Sequence, residues 1–305
     1  MSPSRRLCVP LCALILVAGG WNASAQTPPG REGAPQPSPS PAPGAQEDDP
    51  SKALVTGSYP DDPRLGAALT MLSKGSFDAA ALTARTVLTQ NAKVERAEAI
   101  LGVALLKQKK YEEARRHLER ARDSTQPFPE RKHAPHFLGW CCYHLGDLEA
   151  ARVAFERHAK EVPGEPDTLF GLGLVALGED RLEDAEKFLT NALDAFSAPP
   201  KPDLVGQARA LTRLSDVAMR RGEVEKAEAM LERAVKASAV QHETWSKLAR
   251  VRDRLGKSKE ADAARANAER ILQALGRKPS EAATAPQPAV QSPSTPAEPA
   301  KETAP

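Results

Sequence analysis

Histidines are the residues in this chain whose type and spacing come nearest to a chemical site. His136 and His144 flank Trp140 at four-residue steps, and His133 precedes them in the same segment. Imidazole nitrogens are common zinc ligands. On a helix, however, His136 and His144 lie about 12 Å apart along the axis, at ~1.5 Å per residue, so they cannot share one ion unaided. No carboxylate completes a site in this segment, so we expect surface-lining histidines and no metal, with metal binding as the alternative.

The two cysteines that could support redox chemistry are adjacent, at Cys141 and Cys142. Neighbours on a helix point about 100° apart, which disfavours a disulfide between them. We therefore predict free thiols within a core. The chain has no nucleophile elbow, no phosphate-binding glycine loop and no HExxH motif. These observations predict a non-enzymatic protein with no catalytic residue and no cofactor.

The first 25 residues resemble a secretory signal. Arg5 and Arg6 precede an apolar run over 7–20, and the small residues Ala23 and Ala25 stand before Gln26. We expect cleavage after Ala25 and a periplasmic or secreted protein; the alternative is an uncleaved anchor. The formal net charge of the whole chain is +2, and removal of two arginines brings it to zero. A balanced charge predicts no affinity for nucleic acid, and we expect no transmembrane segment after cleavage.

The remaining chain divides into a central helical region and two proline-rich flanks. Residues 26–60 and 276–305 are rich in Pro, Ala and Gln or Ser, a composition typical of disordered linkers. Between them, over 61–275, apolar residues recur at three- and four-residue steps, which predicts amphipathic helices. Within this region two small residues recur 12 positions apart: Gly102 and Ala114, Gly139 and Ala151, Gly173 and Ala185, Ser215 and Ala227.

The pattern resembles the tetratricopeptide repeat, in which a first helix that carries a Leu-Gly motif is followed by a turn and by a second helix that carries a characteristic Ala. The matches include Leu101-Gly102, Leu138-Gly139 and Leu172-Gly173. The resemblance implies an all-α, right-handed solenoid of about six helix-turn-helix hairpins. Their expected bounds are 61–94, 95–128, 132–165, 166–199, 208–241 and 242–275. The longer steps, at Gln126–Pro129 and Ser197–Pro202, predict bends or projecting loops, and Arg265 and Glu269 predict a solvent-facing last hairpin.

Members of this family generally bind partner proteins in a concave groove lined by the first helix of each repeat, and the resemblance implies the same here. The positions that project onto such a groove are Leu65, Leu69, Leu72, Ala99, Val103, Leu106, His136, Trp140, Tyr143, His144, Phe170, Leu174 and Leu177. Repeats five and six add a mixed, mostly basic wall that includes Arg209, Asp216 and Arg220. We predict an apolar groove with an aromatic centre that binds a peptide or helix.

Two functions remain open from the sequence. The first is an interaction scaffold of the bacterial cell envelope with an unidentified protein partner; the envelope is inferred by analogy from the signal and the Ala/Pro-rich composition. The second is a structural spacer with no groove ligand. For the leucines, burial inside a tight superhelix is an equally good interpretation, whereas Trp140 favours an exposed groove. We expect the third repeat to select the partner.

Overall fold

The computed structural model describes residues 59–276, and all regular structure in that range is helical. It comprises α1 (Arg64–Ser73), α2 (Phe77–Gln90), α3 (Arg96–Lys107), α4 (Tyr111–Asp123), a 3-10 turn (Pro129–His133), α5 (Ala134–Leu145), α6 (Leu148–Glu161), α7 (Pro166–Gly178), α8 (Leu182–Ser197), α9 (Leu204–Arg220), α10 (Val224–Ala237), α11 (His242–Arg254) and α12 (Ser258–Ala274). The predicted all-α solenoid is confirmed. The expected signal, most of the linker and nearly all of the tail lie outside the described residues.

The twelve helices pair into six consecutive hairpins, α1/α2 through α11/α12. Each second helix also packs against the first helix of the next hairpin. The first helices α1, α3, α5, α7 and α9 in addition contact one another in sequence. Elements on the inside of a curved stack approach most closely, so the first helices form its inner layer. We call the surface they line the inner face.

Glycine sets the distance between the two helices of a hairpin. A Cβ placed on Gly139 would lie 2.6 Å from the Phe155 ring, and one on Gly102 would lie 2.6 Å from Leu118. Atoms cannot approach so closely, so these positions exclude any larger residue. The glycines of the repeat pattern therefore lie at close helix contacts, with Leu118 and Phe155 of the second helix as their neighbours.

The turns between paired helices require a left-handed residue. Glycine provides it in four hairpins with φ of 72–80°, at Gly75, Gly146, Gly222 and Gly256. In the second and fourth hairpins the same conformation is taken by Lys109 (φ 64°) and Asp180 (φ 57°). Glycine adopts this region without strain, whereas other residues rarely do. The sequence pattern gave no indication of these two substitutions.

The two longer steps differ: the first is held against the core, whereas residues 197–204 of the second are all exposed. After α4, Phe128 is buried and the 3-10 turn follows, where Glu130 accepts two hydrogen bonds from Arg96 at 2.8 and 2.9 Å. Before the fifth hairpin, the first helix begins at Leu204 rather than near Ala208. The Asp203 carboxylate starts it by accepting from the backbone N–H groups of two residues in its first turn. The extra residues thus lengthen α9.

The last described hairpin has a polar outer side. Arg265 occupies the position that Leu231 fills in the previous hairpin, and it forms ion pairs with Asp253 at 2.7 Å and Asp262 at 2.8 Å. All three side chains are substantially exposed. The prediction that this hairpin faces solvent is consistent with these exposed pairs.

Candidate partner-binding site on the inner face

The aromatic centre of the inner face is built by α5. Pro135 lies in its first turn, where a missing N–H is tolerated, and Gly146 ends it in the left-handed conformation. Trp140 and Tyr143 are both half-buried, and their ring centroids are 5.9 Å apart in an edge-on arrangement. Neighbouring side chains on two hairpins restrict the movement of these rings, so Trp140 and Tyr143 form a rigid, partly exposed surface.

Trp140 is anchored from below by rings of two hairpins. Its centroid lies 5.4 Å from Phe155 on α6 and 6.4 Å from Phe170 on α7. Aromatic pairs at these separations are favourable beyond the area that they bury. The prediction that Trp140 and Tyr143 retain solvent exposure agrees with their half-buried state; whether they bind a partner stays a prediction.

Most of the positions predicted to line an open apolar groove are buried. Besides Leu65 and Ala99, seven others of the thirteen are less than 10% exposed: Leu72, Val103, Leu106, His136, Phe170, Leu174 and Leu177. Leu69 is half-buried against the core. The reason is the direct contact between successive first helices, since their inward side chains then fill the space between hairpins. The burial interpretation therefore holds for the leucines.

His144 is exposed and lies beside Trp140, with the two ring centroids 6.2 Å apart. Its ring also stacks on Tyr111, with centroids 4.6 Å apart and an interplanar angle of 17°. Tyr111 opens α4, the second helix of the preceding hairpin. Whether His144 contacts a partner stays a prediction.

An arginine covers the far side of the aromatic centre. The guanidinium carbon of Arg209 lies 4.3 Å from the centroid of the Phe170 ring. The same guanidinium donates to the Asp167 carboxylate at 3.1 Å. Cation–π contacts of this kind contribute about 0.5–2 kcal/mol, depending on desolvation. The sequence placed Arg209 on the inner face but did not reveal that it packs on Phe170.

Beyond Arg209 the inner face is a compensated ion-pair network between α9 and α11. Arg213 pairs with Asp216 at 3.2 Å and with Glu243 at 2.8 Å, and Lys247 pairs with both carboxylates. These charges also reach Tyr143: burial raises the pKa of its phenol, and the Arg213 charge acts to lower it. Two arginines of the predicted basic wall are also paired, Arg209 with Asp167 and Arg220 with Asp180, so this part of the wall is largely compensated by carboxylates.

Three histidines meet beneath the aromatic centre. His136 and His158 both lie within hydrogen-bond distance of the Thr168 hydroxyl, at 2.8 and 2.7 Å, and His158 is 3.3 Å from His133. Burial is the main cause that lowers the pKa of His158 to about 4 and that of His136 well below its usual range. We call these three residues with Thr168 the histidine cluster. The sequence analysis placed His136 on the surface and overlooked His158.

The remaining chemical candidates lie in the core. Cys141 and Cys142 are free and buried, as predicted, and burial raises the pKa of the Cys142 thiol to about 11. Such thiols are protonated at neutral pH and therefore poor nucleophiles. Within residues 59–276, no three His, Cys, Asp or Glu side chains are arranged to hold a metal ion. In the same range, no helix combines the length and apolar character needed to cross a bilayer.

Comparison with known proteins identifies the repeat. Two sequence models described as Tetratricopeptide repeat match this chain, one over 65–129 and 101–166, the other over 165–239. Together they span 65–239, more than half of the 305 residues. No curated protein sequence matches significantly.

Solved structures share the fold at low sequence identity. A chain of the APC/C hetero-tetramer Cut9–Hcn1 superimposes with a TM-score of 0.58 at 15% identity, over 68% of this chain and 39% of that one. PilF of Pseudomonas aeruginosa gives 0.54 at 15% identity, over 68% and 90%. BtubC of P. vanneervenii gives 0.51 at 18% identity, over 74% and 97%.

These likenesses establish architecture only, and this chain spans about two fifths of the Cut9–Hcn1 chain that it matches. The sequence matches cover five of the six hairpins in whole or in part and coincide with the glycine contacts between paired helices. The chain belongs to the tetratricopeptide repeat family.

Proposed function

We propose that this protein is a non-catalytic scaffold that binds a segment of a partner protein on the inner face of hairpins three to five. The observation that carries the proposal is the pair Trp140 and Tyr143, two partly exposed aromatic rings on a rigid helix. Tetratricopeptide repeat proteins bind protein partners and are generally non-catalytic. Tyr, Trp and Arg are the residues that most often dominate protein interfaces.

The chemistry around these rings describes the partner segment. Most inner leucines are buried, so within hairpins three to five the apolar contact area centres on the half-buried Trp140 and Tyr143. Beside the rings stand Arg213 and the carboxylates that pair with it. A peptide segment with one or two apolar anchors and flanking polar groups fits this surface better than a largely apolar segment would.

The proposed location is the bacterial cell envelope, reached by export and cleavage after Ala25. Support comes from the sequence of residues 1–25, with its basic start, apolar run and small residues before Gln26. Binding of another protein by this architecture has a structural parallel in the Cut9–Hcn1 hetero-tetramer, a parallel of fold alone.

A spacer is the second candidate function, and a specific observation favours it. The predicted apolar groove is largely closed, and Arg209, Arg213 and Lys247 on α9 and α11 already have carboxylate partners within the solenoid. A rigid body between two proline-rich flanks needs no groove ligand. The two functions differ in whether Trp140 and Tyr143 have a role beyond packing.

A substitution experiment separates them. Trp140→Leu with Tyr143→Ala keeps an apolar residue over Phe155 but removes both rings from the surface. Val153→Ala, at a 54% exposed position on α6, is the matched control. A scaffold loses a captured envelope protein in the ring variant and keeps it in the control, with unchanged helicity by circular dichroism. Retention of that protein by both variants, or capture of none by the parent, contradicts the scaffold and supports the spacer.

A further inference from the structure

The repeats of this chain provide their own comparison set for His158. It stands seven residues after Ala151, the buried small residue of the repeat pattern on the second helix. The equivalent residues of the other hairpins are all buried: Val87, Ala121, Ala192, Ala234 and Ala268. His158 is itself only 1% exposed. The third hairpin therefore places an ionisable side chain where the fold elsewhere uses a small apolar one.

An ionisable side chain is also exceptional at the contact between the first helices of successive hairpins. At matching positions the other junctions use apolar or hydroxyl side chains: Ala99 with Ala134, Phe170 with Ala210, and Thr212 with Thr244. The threonine pair is joined at 2.9 Å. Between hairpins three and four the pair is His136 and Thr168. Since neutral pairs build the other junctions, the solenoid does not require a titratable group at this place.

Neutral rings let every group at the centre of the histidine cluster take part in a hydrogen bond. The Thr168 hydroxyl has one proton and lies beside the Nδ1 atoms of both His136 and His158. With both rings neutral it can donate to one Nδ1 and accept from the other, so that one ring carries its proton on Nδ1 and the other on Nε2. His158 Nε2 continues the chain to His133 Nδ1. Four elements (the 3-10 turn, α5, α6 and α7) are thereby joined, and Thr168 is the link to the fourth hairpin.

Added protons meet no counter-charge at the centre of the cluster. The charges that act on His136 are those of His158, His133 and Lys107 of α3, and those on His158 are His133 and Lys132 of the turn; all oppose protonation. Only His133 is faced by carboxylates, Glu130 of the turn and Glu161 of α6. A buried cation without a partner is strongly unfavourable. With both Nδ1 atoms protonated, the Thr168 hydroxyl also loses its acceptor.

We propose that the histidine cluster is an acid-sensitive joint that holds hairpins three and four together at neutral pH and opens when its rings are protonated. In the opened or unfolded chain the rings take protons near pH 6.5, their ordinary range. The folded cluster resists protonation down to about pH 4 at His158. The stabilisation is therefore complete above pH 6.5 and is lost as the pH falls below it. The inference does not depend on the proposed partner site.

Hydrogen exchange measured between pH 7 and pH 5 on the full chain tests the joint. After correction for intrinsic exchange rates, protection in α5–α7 should fall by up to about tenfold per pH unit for each ring that the fold keeps neutral. The junction of hairpins five and six, built on Thr212 and Thr244, serves as the internal reference. Equal falls at the two junctions would overturn the proposal.

Protonation of the neighbouring Glu165 carboxyl cannot produce the expected loss of stability at low pH. Burial raises the pKa of Glu165, just before α7, so the folded chain takes up that proton more readily than the unfolded chain. Protonation of Glu165 therefore favours the folded state as the pH falls, which opposes the predicted change.

Matched variants assign the effect to the cluster. His158→Gln removes the central ring but retains a side chain able to bond Thr168. Between pH 7 and pH 5, protection of α5–α7 falls further than protection of the reference junction, and this difference should shrink in the variant by up to about tenfold per pH unit. His242→Gln, at the start of α11, should leave it unchanged. If His158→Gln fails to fold, NMR titration of the parent decides: ring signals of His136 and His158 that stay neutral at pH 5 support the joint, and ordinary titration near pH 6.5 refutes it.

Discussion

The closest helix contact in the third hairpin gives a quantitative test of the packing. Gly139→Ala adds one methyl group, whose carbon would lie 2.6 Å from both Cδ1 and Cε1 of Phe155. The ring cannot retreat, because on its other side a Cβ on Gly171 of α7 would lie 2.6 Å from its Cζ. Overpacking of this kind costs about 1–3 kcal/mol. Alanine regains up to about 1 kcal/mol of helix propensity, so we expect a net loss of roughly 1–2 kcal/mol.

Gly66→Ala is the matched control for this substitution. Gly66 also lies inside a helix, but an added Cβ would meet no atom within 4 Å. Only the helix propensity changes there, and we expect a gain of about 0.5–1 kcal/mol. Urea unfolding followed by circular dichroism measures both variants. The reasoning is refuted if Gly139→Ala is as stable as Gly66→Ala, since the Phe155 contact would then impose no constraint.

Three further substitutions test polar contacts between hairpins. Thr212→Val and Thr244→Val, alone and combined, should show a coupling of about 1 kcal/mol in a double-mutant cycle, because their buried hydroxyls lie 2.9 Å apart; additive losses would mean that the hydroxyls do not interact. Arg96→Lys keeps the charge but loses the two-pronged contact with Glu130, where both side chains are 14% exposed, so we expect a loss of roughly 1.5 kcal/mol in thermal or urea unfolding. An unchanged midpoint would show that this fork does not hold the 3-10 turn against α3.

The arrangement of the hairpins could be predicted because it depends on local spacing. The 12-residue interval between Gly139 and Ala151 already fixes one helix, one turn and a close crossing of two backbones. The buried thiols Cys141 and Cys142 followed from the same pattern. Such features depend on residues near one another in the chain, which periodicity reports directly.

The state of the inner face could not be predicted because it depends on how tightly successive hairpins pack. Leu106 and Leu174 occupy groove positions in the repeat pattern, yet contact between neighbouring first helices buries both. The approach of Arg213 to Tyr143 joins hairpins three and five, and it depends on the curvature of the stack. No local pattern contains that information.

His158 is different, since a signal for it was present in the sequence. Alignment of the repeats at their small residues shows alanine at this position in four other hairpins, so a histidine there stands out. Helical spacing within one segment reports only His136 and His144, whereas His158 stands out only when positions are compared between repeats. In repeat proteins such a comparison reveals exceptional buried residues without any homologue.

The most direct test of the scaffold proposal is site-specific photo-crosslinking in envelope preparations. A photoreactive phenylalanine analogue is placed at position 143 on the inner face, and in a second variant at position 153 on the outer side of α6. The proposal predicts one discrete adduct from position 143, which is absent from position 153 and is lost when Trp140 is replaced by Leu. The absence of any adduct at position 143, or the same adduct at both positions, would contradict partner binding on the inner face.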